Sequence, residues 1–322
     1  SGKPVTIYLT KNDLNRLAHN EASSLRSIGA TEHDVVQLMT TIDRQFMAGL
    51  AYYLGVQEIG AGMVRLGPGV PQLQWQSIIE NQATILIAVP SFIVSLLNFA
   101  EETNIYYKKT SVRKILCIGE PLRDHELNLN ILGKRIKDRW DVELYSTYAS
   151  TEMSAAFTEC KAQNGGHLMD DLLFLEVLNE EGEHVKDGSV GEIVVTTLGN
   201  EGTPLIRYKT GDLAHFHNES CQCGKLTPRL GPIVGRKNQM IKFKGTTIYP
   251  NAIFDIFDLQ ADITLYKIEV AKDYLGQDTL TVLLPKSIET TLDLEKLVEN
   301  CKSKLKAVPH FLFLEDEYLR NQ

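Results

Sequence analysis

Apolar positions along the chain follow one rhythm up to about residue 145 and another beyond it. In the first stretch, helical spacing of apolar residues predicts helices over 14–28, 46–54, 73–81, 92–103 and 124–139, with Thr10-Lys11-Asn12-Asp13 as an N-cap region for the first. Between them stand short strands expected at 35–39, 84–89, 114–118 and 142–145, with Met63-Val64-Arg65-Leu66 before a turn-rich stretch; Thr84-Ile85-Leu86-Ile87-Ala88-Val89 is a continuous apolar run of the kind a strand covered on both faces requires. A further strand is expected at 5–10. Strand and helix repeated in this order predict a mostly parallel sheet with helical crossovers.

From residue 155 the pattern shortens to alternating strands at 172–178, 191–197 and 213–217, which predict a smaller antiparallel sheet or barrel attached to the first layer. The polar stretch Gly235-Arg236-Lys237-Asn238-Gln239-Met240 marks a boundary. Beyond it lie a hairpin (240–243 and 247–249), a helix from Pro250, strands at 265–271 and 279–284, and a helix over 292–305. The expected fold class is α/β: a large N-terminal domain, 1–237, with mostly parallel sheet layers plus a small antiparallel β subdomain, followed by a small mobile α+β C-terminal domain, 238–322.

Composition narrows the function classes. With 322 residues, 43% apolar and 23% charged, the chain has the makeup of a soluble globular protein with room for a large core. A net charge of -8 argues against a general nucleic-acid surface, so an anionic ligand has to be met by local basic or amide groups. No apolar run approaches ~18 residues and no leader opens the chain, so neither a membrane partner nor export is expected, and the cytoplasm is the expected location. The odd count of five cysteines argues against a disulfide framework; Cys117 reads as core and Cys301, in a charged amphipathic helix, as inert. The apolar helix around 92–99 fits a homodimer contact or the core equally well.

Three short stretches carry candidate chemistry. Pro204-Leu205-Ile206-Arg207-Tyr208-Lys209-Thr210-Gly211-Asp212-Leu213 puts a carboxylate on a glycine turn, suited either to an Asx-type turn or to holding a ribose diol. Tyr145-Ser146-Thr147-Tyr148-Ala149-Ser150-Thr151-Glu152 follows a parallel strand, where open α/β sheets place ligands. There Thr151 offers a hydroxyl to a phosphate, Glu152 an oxygen to Mg²⁺, and Tyr148 a ring to a base. Ile118-Gly119-Glu120-Pro121 is a tight turn after another such strand. Separately, Cys160-x₆-His167 and Cys221-x-Cys223 form a Cys₃His set suited to a closed, structural Zn²⁺ site, with His215 or His217 as alternatives to His167.

Taken in order, Gly-Glu-Pro, Tyr-x-x-Thr-Glu and Tyr-x-Thr-Gly-Asp resemble the adenylate-forming superfamily of acyl-coenzyme A synthetases. The wording of 191–198, 204–213 and Cys221-Gln222-Cys223-Gly224 is similar to its phenylacetate-coenzyme A ligase group. The resemblance implies that Asp212 binds the ribose of ATP or AMP, supported by Arg236. It also implies that Tyr148, Gly119, Glu120 and Pro121 border the adenine, that Thr151 meets the α-phosphate, and that Glu152 ligates Mg²⁺. Ser1-Gly2-Lys3-Pro4 looks like the tail of the family's phosphate loop, which makes Lys3 a catalytic candidate. Lys244-Gly245-Thr246 resembles the loop lining the path of coenzyme A. Phe46, Gly49 and Ile118 are placed beside an aryl acid.

The implied reaction joins an aromatic acid to coenzyme A through an acyl-adenylate. The open alternatives are an adenylating enzyme with another acceptor or a cofactor as its target, and a nucleotide-binding homologue without catalysis. Ala149 stands where the family usually has Gly, and Asn238 where its hinge commonly has Asp. Most of the phosphate loop, the segment before it and the terminal catalytic lysine are expected to be missing.

Overall fold

A computed structural model describes residues 5–43, 45–244, 246–258, 260, 262–273 and 278–320. They divide into two compact units, with the division between Ile233 and Val234.

The first unit opens with α1 (Lys11–Ser27), β1 (Val35–Leu38), α2 (Met47–Ile59), β2 (Gly62–Arg65), α3 (Pro71–Glu80), β3 (Ile85–Ala88), α4 (Pro90–Glu102), β4 (Lys114–Cys117), α5 (Ile131–Lys137) and β5 (Glu143–Ser150). It continues through β6 (Ala155–Glu159), β7 (Gly166–His167), β8 (Leu173–Leu178), β9 (Val190–Thr197), β10 (Tyr208–His217) and the start of β11 (Arg229–Arg236), whose last three residues fall in the second unit. These strands form one sheet in the order β2-β1-β3-β4-β5-β6-β7-β11-β10-β9-β8. Pairing is parallel from β2 to β5 and antiparallel where β6 joins β5. The antiparallel part therefore continues the parallel sheet through a shared strand. β5 pairs parallel with β4 as far as Ser146, then antiparallel with β6 from Thr147.

The apolar runs are explained by burial on both faces. Along β3 and β4, Leu86, Ala88, Ile115 and Cys117 enter one core with α3, α4 and α5, while Ile85, Ile87 and Leu116 enter another with α1 and α2. Trp75, Tyr107 and Trp140 cluster in the first core, with Trp75 and Trp140 centroids 5.5 Å apart. In α4, Ile93, Leu96, Leu97 and Ala100 are buried and Phe92 and Phe99 pack on the same core, which accounts for the apolar helix considered above as a dimer contact. No helix among the described residues is long and apolar enough to cross a membrane.

Two expected elements differ. Residues 5–10 form no strand ladder; Tyr8 is held by its backbone N–H donating to the Thr203 hydroxyl at 2.9 Å. The helix expected over 124–139 is confined to α5. The Asp124 carboxylate accepts from the backbone N–H groups of Glu126 and Asn128, and Asn130 caps α5 by accepting from Gly133. Short polar side chains compete here with the helical ladder.

The helix α1 ties distant loops together. Its N-cap Thr10 and Asp13 form a capping box, and the Asp13 carboxylate also accepts from the backbone of Glu201 and Gly202 at 2.8 Å each. Buried Arg16 donates to the carbonyls of Leu198, Ser154 and Leu172.

The second unit contains β12 (Ile241–Phe243), β13 (Thr246–Ile248), α6 (Pro250–Phe257), β14 (Lys267–Lys272), β15 (Asp278–Pro285), α7 (Leu294–Leu305), β16 (His310–Leu314) and α8 (Asp316–Arg320). β16, which the apolar spacing did not reveal, pairs parallel with β15. Ile253, Ile256, Phe257, Val282, Leu297 and Cys301 form its core, so Cys301 is a core thiol.

Candidate functional site

The parallel strands end level with one another: Ala88 pairs with Cys117 and Cys117 with Ser146. The turn at 118–121 and the segment 147–152 therefore emerge at the carboxyl edge of the sheet, beside the point where β5 changes from parallel to antiparallel pairing. Open α/β sheets bind their ligands outside this carboxyl edge.

Asp212 reaches the same place from β10 by a bulge. The register of β10 on β9 shifts between Lys209 and Leu213, so Thr210-Gly211-Asp212 stands out of the ladder. Gly211 takes φ +77°, a left-handed backbone with nothing within 4 Å of the position of a Cβ, so the constraint is conformational rather than steric. The Thr210 hydroxyl donates to the Ile193 carbonyl at 3.0 Å and accepts from the Asp212 backbone N–H at 3.1 Å, which fixes the bulge. The result is a buried carboxylate whose Oδ2 accepts from the Tyr148 hydroxyl at 2.9 Å. The Tyr148 ring is half-buried, with its centroid 6.1 Å from that of Phe157.

The remaining candidates stand on several elements. Glu120 is engaged with α4: its carboxylate accepts from the Ser91 backbone N–H at 2.9 Å and hydroxyl at 2.7 Å, capping the helix start. The Gly119-Glu120-Pro121 turn thus presents backbone at the carboxyl edge, and the Pro121 carbonyl is held by Asn130 at 2.8 Å. Thr151 is exposed in the turn after β5, and half-buried Glu152 makes no side-chain hydrogen bond among the described residues. Ile118 lies in the core shared with α2. Phe46, 41% exposed, precedes α2. Gly49 is needed for packing, since a Cβ there would collide with the Thr41 carbonyl. Arg236 ends β11, and in the second unit Lys244 donates to the Val308 carbonyl at 3.2 Å with its ammonium over the Phe243 ring. Lys3 and Gly245 lie outside the described residues.

The Cys₃His set is assembled. The ligand atoms of Cys160, His167, Cys221 and Cys223 all lie within 4.8 Å of one another, with the first three residues buried and Cys223 exposed. Cys160 and Cys221 sulfurs are 3.7 Å apart, and Cys223 Sγ is 3.5 Å from His167 Nε2. His167 Nδ1 lies 3.1 Å from the Thr227 hydroxyl, leaving Nε2 aimed at the thiols. His215 and His217 do not belong to this group; His217 sits instead with Asp187 and Glu219. Burial, with Lys225 and Arg229 nearby, draws His167 down to about 4, so the imidazole is neutral and able to ligate. Burial pushes the Cys160 thiol up to about 12, with the neighbouring thiols adding to the effect. A bound cation would displace such protons.

Two buried acidic groups escaped the sequence reading. Glu21 on α1 is 4% exposed and held by Asn20 at 3.0 Å, and burial pushes its carboxyl up to about 8. Glu159 on β6 pairs with buried Arg123. The available signal was a charged residue inside the apolar strand Ala155-Ala156-Phe157-Thr158-Glu159.

Residues 45–200 match the model of the AMP-binding enzyme family. The phenylacetate-coenzyme A ligase of Thermus thermophilus is 26% identical over 326 residues, spanning 95% of this chain and 72% of that protein. That of Pseudomonas putida is 27% identical over 257 residues, and there the match covers 79% of this chain but only 56% of the relative. Among solved structures, a 2-hydroxyisobutyryl-CoA ligase in the postadenylation state superposes with a TM-score of 0.82 at 20% identity, covering 98% of this chain and 69% of that one. The o-succinylbenzoate-CoA synthetase of Bacillus subtilis, in complex with its acyl-adenylate intermediate, gives 0.72 at 21% identity over 98% and 63% of the two chains. The fold, the order of the three motifs and these relatives agree: residues 45–200 carry an AMP-binding enzyme domain, in a chain similar over most of its length to phenylacetate-coenzyme A ligases.

Proposed function

We propose that the chain acts in the ATP-dependent ligation of an aromatic, phenylacetate-like acid to coenzyme A, by way of an acyl-adenylate. The carrying observation is the Asp212–Tyr148 pair beside the carboxyl edge of the parallel strands, where the Gly119–Pro121 turn also emerges. In this reading Asp212 accepts from the ribose hydroxyls, Arg236 supports the same nucleotide, Tyr148 and the turn bound the adenine, and Thr151 donates to the α-phosphate. The acid's carboxylate oxygen attacks the α-phosphorus and pyrophosphate leaves with the electrons of the broken P–O bond. The thiol of coenzyme A then attacks the acyl carbon and AMP departs. Both steps need positioning and charge neutralisation more than covalent help. Glu152, with its carboxylate uncommitted to other described side chains, is the residue that would hold Mg²⁺, whose charge offsets that of the phosphates. Lys3 adds to that neutralisation, and Lys244 and Gly245 line the path of the pantetheine arm. Phe46 and Ile118 flank the acid, and Gly49 seats the helix that follows Phe46.

The same reading makes the Cys₃His cluster a structural Zn²⁺ site. Three thiols and an imidazole leave no open position, and the reduced thiols fit a cytoplasmic setting. The test is release of pyrophosphate and AMP with ATP, Mg²⁺ and phenylacetate, with and without coenzyme A. Coenzyme A-dependent AMP release is expected. Pyrophosphate release at background across aryl acids overturns the reading, and AMP release indifferent to coenzyme A redirects it to another acceptor.

A further inference from the structure

Below the Gly119–Pro121 turn lies a buried ion pair that the proposed chemistry leaves unused. Arg123 and Glu159 are 7% and 2% exposed. Nε of Arg123 donates to Oε1 of Glu159 at 2.5 Å and Nη2 to Oε2 at 3.1 Å, a two-pronged contact. The rest of the guanidinium is committed as well: Nη2 donates to the Leu144 carbonyl and Nη1 to that of Leu127, each at 3.3 Å. Leu127 has φ +65°, and Arg123 bridges to Leu129, so the loop after the turn is wound around this side chain. On the other side, Glu159 Oε2 accepts from the Ser146 backbone N–H at 2.8 Å.

Three elements thereby meet at one contact. Arg123 stands two residues past Pro121, Ser146 two residues before Tyr148, and Glu159 two residues after Phe157, which pairs with Tyr148 across β5 and β6. A buried ion pair repays its desolvation poorly, and apolar pairs of similar volume often replace one without loss of stability. A two-pronged contact does fix distance and orientation, which is what a slot for a planar base requires.

We propose that the Arg123–Glu159 pair is a positioning device for nucleotide recognition, setting the separation between the Gly119–Pro121 turn and the Tyr148 ring. This rests on the nucleotide reading above. Calorimetric titration with AMP tests it on Arg123→Lys, which keeps the charge but loses the two-pronged geometry, and on the double variant Arg123→Met/Glu159→Leu, which keeps volume without charge. Both are expected to bind AMP about fivefold or more weakly than the parent, each compared at a temperature where melting shows it folded, because the double variant also leaves the Leu144 carbonyl and Ser146 N–H unpaired and should melt lower. In turnover, KM for ATP rises while kcat and KM for phenylacetate stay within about twofold, a split that general loosening of the fold would not produce. AMP affinity within about twofold of the parent in a folded variant overturns the proposal. If the double variant does not fold, Arg123→Lys decides alone. A parent that fails to bind AMP defeats the nucleotide reading itself, and this inference with it.

Discussion

Replacing Asp212 by alanine removes the carboxylate assigned to the ribose hydroxyls, and the surroundings of Asp212 set how large the loss should be. The carboxylate is 6% exposed, held out of the ladder by the β10 bulge and aligned by Tyr148 at 2.9 Å. A hydrogen bond from a ligand to such a group contributes about 1.5–3 kcal/mol, and two to one carboxylate are less than additive, so losing the paired contact to a diol should cost ~2–4 kcal/mol, or about 30- to 1000-fold in AMP affinity. Tyr148→Phe should cost much less. The Tyr148 hydroxyl bond is present before AMP arrives, so removing it deprives binding only of alignment, about 0.5–1.5 kcal/mol or roughly 2- to 12-fold. The ring and its contact with Phe157 are kept. Once Asp212 is gone, the hydroxyl has nothing to align, and the double variant should bind AMP no worse than Asp212→Ala alone. Calorimetric titration of the four proteins, each checked by thermal melting, closes the cycle. AMP affinity of Asp212→Ala within about threefold of the parent would refute the ribose assignment, and full additivity would refute the alignment role.

Further outcomes follow from other residues. Metal analysis should give one zinc per chain, and Cys221→Ser or exhaustive chelation should lower the melting temperature by several °C or more, since a structural metal contributes folding free energy; substoichiometric zinc with chelator-insensitive melting would remove the site. Glu21, whose carboxyl is pushed up from 4.5 to about 8 by burial, keeps a proton in the folded state that the unfolded chain has lost. Its contribution is therefore complete below pH ~4.5 and declines as pH rises toward 8, at on the order of 1.4 kcal/mol per pH unit. Glu21→Gln, which mimics the protonated acid, should match the parent at pH 5 and exceed it at pH 8; identical melting-versus-pH slopes would count against this. Gly49→Ala forces a Cβ against the Thr41 carbonyl and should cost about 1–3 kcal/mol, read as a fall in melting temperature that an unchanged melt would contradict.

The parallel half of the fold was legible because β3 and β4 bury both faces, which leaves unbroken apolar runs no partly exposed strand would tolerate. The helix expected over 124–139 was overextended because Asp124 and Asn130 act through local side-chain bonds that apolar spacing does not register. In the candidate site, Thr210-Gly211-Asp212 announced a sharp backbone change, yet only pairing geometry shows it to be a bulge within a continuous strand. The Cys₃His set could be written down from residue type, whereas the choice of His167 over His215 and His217 depends on β7 lying between β6 and β11. Arg123 and Glu159 are 36 residues apart, and nothing in the spacing joins them.

The reach of Arg16 bears on how the first unit is made. Its carbonyl partners Ser154, Leu172 and Leu198 lie 138, 156 and 182 residues further along the chain. At ribosomal rates of about 5–20 residues per second, α1 waits on the order of 10–40 seconds for the last of them to be synthesised. Throughout that interval a helix with an apolar face and a charged side chain destined for burial has no completed seat. The first unit should therefore close late and cooperatively, with α1 as the element most in need of protection by a chaperone while the chain is growing.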